Sequence, residues 1–189
     1  WEDGVEEFVA RFLSAHDLDF VLMSVHFLSA WPDPEWVFEF DPAVKPLSGR
    51  YADYFNAVAG GIQSGLFDGV AHLDLIKQPG RPVLQTNRED VAAVLELCRD
   101  RGMSMEINTS GLRKKIAEPY PSWEIIDMAL DAGVPVTLGS DAHKPDQVGL
   151  AFADMASRYG ARIQANTVRY RGRRMVRDAA AARAERPRA

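Results

Sequence analysis

The residues best suited to chemistry are Asp141 and His143, which close the stretch Val136-Thr137-Leu138-Gly139-Ser140-Asp141-Ala142-His143. In an extended segment residues i and i+2 point the same way, so the carboxylate and the imidazole are expected to converge just past a strand's end. Asp with His is the oxygen and nitrogen pair that Zn, Mn or Fe accepts. The small residues Gly139, Ser140 and Ala142 leave room for a ligand to approach. Taken alone, the motif also suits a loop whose Asp caps the next helix. Two other histidines strengthen the metal reading: His26 and His72 fall at or near the ends of other apolar stretches, and Asp74 and Glu106 occupy the same kind of position. His16, at the frayed end of a first helix, reads as a surface residue.

These side chains need strands that end together. The pattern predicts strands over 19–26, 67–77, 103–108 and about 136–140, with His72 and Asp74 on one face of the second. Between them, helices are expected over about 5–13 (capped by Asp3), 51–66, 88–101 (Asn87 cap, Gly102 stop) and 123–132 (Ser122 cap, Gly133 stop). Asp146 is expected to cap a further helix ending at Gly160, and 167–176 reads as a hairpin. Residues 27–50, rich in Trp, Pro and Asp without a period, read as a long loop. Four strand–helix units in succession are the pattern of a parallel sheet or a β/α barrel, in which chemistry sits at the C-terminal strand ends.

The 189 residues, 47% hydrophobic and 26% charged, fit one domain with a sizeable core. The lone Cys98 excludes an internal disulfide and, on its helix's apolar stripe, reads as core; it suits a reducing, cytoplasmic setting. No membrane span is expected, and oligomeric state is not legible. Net charge is −5, but residues 169–189 hold eight Arg against two acids, a net of +6, which leaves −11 for the rest. An acidic body disfavours long nucleic acid as a partner. Residues 178–189 read as a flexible Ala/Arg-rich tail beyond a domain over 1–177.

The segments Ser24-Val25-His26-Phe27, His72-Leu73-Asp74-Leu75-Ile76-Lys77, Glu106-Ile107-Asn108-Thr109-Ser110-Gly111-Leu112-Arg113-Lys114 and Gly139-Ser140-Asp141-Ala142-His143 resemble the PHP-type histidinol-phosphatases of the polymerase and histidinol phosphatase superfamily. The likeness runs from about residue 1 to residue 177. It implies a distorted (β/α)7 TIM-like barrel, represented here by its C-terminal four or more βα units and a terminal hairpin. It also implies two or three divalent metals (Zn, Mn or Fe) and hydrolysis of L-histidinol phosphate to L-histidinol and phosphate in histidine biosynthesis. On that resemblance His26, His72, Asp141 and His143 match metal ligands, with Asp141 and His143 also catalytic. Arg113, Lys114 and Lys77 are expected at the phosphate by charge and loop position, and Glu106 at the substrate's ammonium or imidazole or holding a loop.

Two departures stand out. Met23 occupies a position where the family usually has Gly, and the family's N-terminal histidine pair and bridging carboxylate have no counterpart. With Trp1 in place of an initiator Met, sequence upstream is expected to be missing. The expected reaction is direct attack by a metal-activated hydroxide on a small phosphate monoester, since no Ser or Cys stands in a nucleophile motif. Two competitors remain: another phosphoesterase of the superfamily, nucleotide- or nuclease-like, and a catalytically incomplete barrel serving as a structural module.

Overall fold

A computed structural model describes residues 4–28, 35–39 and 45–177. Four parallel strands stand in the order β1 (Leu22–Met23), β2 (Gly69–Val70), β3 (Ser104–Asn108) and β4 (Val136–Gly139). Sequential order with helical crossovers is the β/α arrangement expected from the alternating pattern. Register brings Met23 beside Val70, Val70 beside Met105, and Glu106 beside Thr137. Among the described residues this sheet does not close on itself.

The crossovers are α2 (Leu47–Gln63), α3 (Arg88–Arg101) and α4 (Trp123–Asp131). Tyr54, Phe55, Val58 and Ile62 of α2, Val91, Val94, Leu95 and Cys98 of α3, and Ile125, Ile126 and Ala129 of α4 bury one stripe each. They meet Met23, Val70, Met105, Ile107 and Val136 from the sheet in one core. Burial pushes the Cys98 thiol up to about 12, so this cysteine is packing. A first helix, α1 (Glu6–Ser14), buries none of its residues and leaves Phe8 and Phe12 exposed.

The hairpin of β5 (Val168–Arg171) and β6 (Arg174–Arg177) forms as expected. It is tied to the start of β2: Arg173 donates to both carboxylate oxygens of Asp68 at 3.0–3.2 Å, and the Tyr170 hydroxyl donates to the Asp68 carbonyl.

Several expectations are corrected. The strand expected over 67–77 ends at Val70; residues 71–76 form turns, in which Leu75 N–H donates to the His72 carbonyl and Lys77 N–H to that of Asp74. His72 and Asp74 therefore do not share a strand face. The Asp146 segment is a short 3-10 helix, Pro145–Gln147, and α5 (Phe152–Tyr159) starts beyond it at Ala151, with α6 (Ala161–Asn166) following Gly160. The Asn87 side chain donates to Asp90 and to the Ser48 carbonyl instead of accepting from its own helix. Asp3, part of the 27–50 loop and the 178–189 tail lie outside the described residues.

Candidate active site

Just beyond β2 the chain must leave the extended conformation, and His72 makes that turn with φ +27°. A β-carbon disfavours this region, so such a residue is held there by its surroundings. Its holder is Glu106, the third residue of β3, whose Oε2 accepts the His72 N–H at 3.1 Å and the Asn108 amide at 3.1 Å. Glu106 fits because Gly139 of β4, which pairs with Asn108 of β3, carries no side chain: a β-carbon there would collide with Oε1 and lie 2.6 Å from Cδ. Burial raises the Glu106 pKa, and the hydrogen bonds from Asn108 and His72 oppose it.

The His72 ring is buried and lies 5.2 Å from that of His26, centroid to centroid. Its Nδ1 is buried without a hydrogen-bond partner. Burial first, and then the charge of His26, push the His72 pKa down to about 4, leaving a neutral imidazole at physiological pH. His26, which follows β1 at the open side of the rim, is also shifted down by burial. The Asp141 carboxylate opposes both shifts and the Lys114 ammonium adds to them, so both charges lie within electrostatic range of the two imidazoles.

Asp141 itself departs from the expected geometry. It has φ +47°, so the segment past Gly139 is not extended, although the His143 Nδ1 still lies 3.9 Å from the Asp141 carboxylate. The His143 side chain is 80% exposed, and its Nδ1–H donates to the Asp141 carbonyl at 2.9 Å. That bond fixes the tautomer and leaves Nε2 with its lone pair outward. Arg113 reaches the same loop, Nη1 donating to the Ser140 carbonyl at 3.0 Å and Nη2 to that of Asp141 at 3.1 Å.

Lys77 is the clearest correction. Its ammonium is buried, 3.3 Å from Asp74 and 3.1 Å from Glu118, donates to the Pro119 carbonyl, and lies over the Tyr120 ring. A cation so committed is part of the scaffold rather than a free phosphate contact. The Lys114 ammonium also lies over the Tyr120 ring, 5.2 Å from its centre. Sequence reasoning missed Tyr120 and Glu118; the only signal was an aromatic residue and an acid in the loop after Arg113.

The structure thus brings the rings of His26 and His72 together and turns His143 outward, with its Nδ1 3.9 Å from the Asp141 carboxylate. Among the described residues no three His, Cys, Asp or Glu side chains stand close enough to hold a metal as they are. The donor chemistry nevertheless fits a divalent cation: two neutral imidazoles, one with an orphaned buried nitrogen, and a carboxylate.

Fold and rim together define a parallel α/β protein that gathers its chemistry at the C-terminal strand ends. No protein-family model matches the chain. It is 40% identical over 178 residues to a Deinococcus radiodurans protein named probable histidinol-phosphatase, covering 91% of this chain and 65% of that one. It is 27% identical to the histidinol-phosphatase of Bacillus subtilis, over 78% of this chain and 62% of the relative. The chain therefore spans less than two thirds of these relatives' length. Two crystal structures share the fold. Histidinol phosphate phosphatase HisK of Lactococcus lactis, solved with Zn, L-histidinol and phosphate, superposes with TM-score 0.69 and 18% identity, over 93% of this chain and 68% of that one. HisK of Listeria monocytogenes gives 0.65 and 21%, over 82% and 65%. The chain is thus similar in sequence to histidinol-phosphatases over most of its own length and shares the fold of the two HisK structures.

Proposed function

We propose that this chain is the greater part of a metal-dependent phosphomonoesterase that hydrolyses L-histidinol phosphate to L-histidinol and phosphate in histidine biosynthesis. The observation that carries the reading is the orphaned Nδ1 of buried His72, beside His26, in a chain similar to histidinol-phosphatases. In this reading residues 1–177 are part of one distorted (β/α)7 barrel, the tail 178–189 lies outside it, and the enzyme is cytoplasmic and acts on a small phosphate monoester rather than nucleic acid.

His26, His72 and Asp141 would hold divalent metal (Zn, Mn or Fe, two or three ions), with His143 offering Nε2 from the solvent side. When bound, such ions lower the pKa of water and polarise phosphoryl oxygens. The chain's own residues do the rest. Asp141 accepts the proton of the attacking water as its oxygen bonds to phosphorus and the phosphorus–alkoxide bond breaks. The alkoxide takes its proton from solvent at the open side, where His143 stands. Lys114 meets phosphoryl charge, and Arg113 lends it positive potential from the Asp141 loop. Glu106 acts through His72 rather than on the substrate, and Lys77 belongs to the scaffold.

Loaded with Zn or Mn, the protein is expected to release phosphate from L-histidinol phosphate at least tenfold faster than from nucleotides, and not to cleave dinucleotides; ~10-fold is the scale on which one set of substrate contacts discriminates. Faster turnover of dinucleotides would replace this reading with a nuclease-like one. A second reading, a catalytically incomplete structural module, is favoured by the outward His143 and predicts that no metal binds stoichiometrically.

A further inference from the structure

We infer that Arg113 is a positioning residue: its guanidinium clamps the loop that carries Asp141 and holds that carboxylate toward His26 and His72. The inference rests on the reading of Asp141 as a metal-holding group, and it changes what Arg113 is for.

Asp141 sits where the chain has just left β4, in a left-handed conformation that a side chain disfavours. Without the ladder, the carbonyls of Ser140 and Asp141 need other donors. Arg113 supplies both at once, Nη1 at 3.0 Å to Ser140 and Nη2 at 3.1 Å to Asp141. Two successive carbonyls taken by one planar fork fix the orientation of the peptide plane between them, which a single donor cannot do. The Asp141 carbonyl then accepts a second bond, from His143 Nδ1, so the same clamp aligns the imidazole. Downstream, the Ser140 hydroxyl accepts from Gly149 N–H and the Thr109 hydroxyl donates to the Leu150 carbonyl, closing the loop.

The clamp is launched from a fixed point. Arg113 ends the 3-10 helix Thr109–Arg113, whose first residues are capped by the Asn108 side chain accepting from Ser110 N–H at 2.9 Å. Gly111 in that helix lies so close to the next turn that a β-carbon there would collide with the Glu118 carbonyl and lie 2.9 Å from the Tyr120 ring. The two residues with disfavoured φ at the rim, His72 and Asp141, are therefore both held from β3 and its continuation: the first by Glu106, the second by Arg113. A fork spent on backbone carbonyls is not a fork on phosphate.

The test compares Arg113→Ala and Arg113→Lys with the wild type in phosphate-free buffer. Amide exchange in the metal-free protein and Zn2+ binding by calorimetry are both independent of turnover. Arg113→Ala is expected to speed exchange of the His143 and Gly149 amides by about tenfold, leave the His72 amide unchanged, and weaken Zn2+ binding by about 10–100-fold, the range for residues that orient metal ligands. Arg113→Lys keeps the charge without the fork, so it is expected to retain inorganic phosphate affinity while Zn2+ binding stays weakened. Wild-type exchange and wild-type Zn2+ affinity in both variants would overturn the inference, as would a loss confined to phosphate affinity. If Arg113→Ala fails to fold, Arg113→Lys decides. If the wild type binds no Zn2+, the exchange data alone decide the clamp and the proposed function fails separately. If it binds Zn2+ but leaves histidinol phosphate intact, that function fails while the clamp stands.

Discussion

Two buried polar clusters follow β2, one around His72 and one around Asp74 and Lys77, and they differ in construction. Around Lys77, opposite charges meet: the ammonium has Asp74, Glu118, a carbonyl and an aromatic face, although Asp74 Oδ1 itself is buried without a hydrogen-bond partner. Around His72, a buried ring nitrogen has no partner, two imidazoles face each other, and two residues hold disfavoured φ. Both clusters are buried and ionisable, and burial alone does not tell them apart. The counter-charge does: each cluster has one orphaned buried atom, but Asp74 has the Lys77 ammonium at 3.3 Å, whereas the His72 nitrogen sits on a strained turn with no ion pair, a cost that folding alone does not explain.

That contrast is broken most directly by exchanging the losses. His72→Ala is expected to lower Zn2+ affinity by more than ~100-fold, beyond the range for residues that merely orient ligands, while leaving the melting temperature within a few degrees. Lys77→Met is expected to do the reverse. Removing one partner of a buried pair strands Asp74 and costs about 3–5 kcal/mol in urea denaturation, with Zn2+ affinity of the folded protein unchanged. If Lys77→Met weakened Zn2+ binding as much as His72→Ala, the two clusters would be one site.

A smaller effect sharpens the same boundary. Gly139→Ala pushes a methyl into Glu106, which must move and release the His72 N–H. Overpacking of this kind costs about 1–3 kcal/mol. The structure further predicts that Zn2+ affinity falls with it, because His72 loses the acceptor that holds its turn. Lost stability with wild-type Zn2+ affinity would show that Glu106 only fills space.

Much of this was legible in the residues. Periodicity located α3 at its observed bounds, β3 to within a residue, the hairpin, and the parallel β/α order. It also put His26 and His72, whose rings lie 5.2 Å apart, at the ends of neighbouring strands. What it could not carry was backbone direction. The run through Leu73, Leu75 and Ile76 is apolar because those residues are buried, and burial was read as extension, although the chain turns at His72. The same assumption sent Asp141 and His143 one way, when Asp141 turns left-handed and the imidazole points to solvent. Lys77 and Arg113 read from the sequence as free cations because a sequence gives charge without partners; their acceptors are carbonyls and acids as many as 42 residues away along the chain.

The least costly comparison is a pH titration of the metal-free protein, because the two clusters pull stability in opposite directions over one window. His72 has its pKa pushed from 6.5 down to about 4, so between those values the unfolded chain holds more protons and stability rises with pH. Asp74 has its own raised from 3.8 to about 6 by burial, against the pull of Lys77, so between those values the folded chain holds more protons and stability falls as pH rises. Where the windows overlap the slopes oppose, and the wild-type curve is expected to be shallow. Asp74→Asn removes the falling component and should steepen the curve upward by about 1 kcal/mol per pH unit between pH 4 and 6. His72→Asn removes the rising one and should tilt it the other way. Urea denaturation across that range reads both slopes; parallel curves for the two variants would mean that neither cluster carries the burial assigned to it.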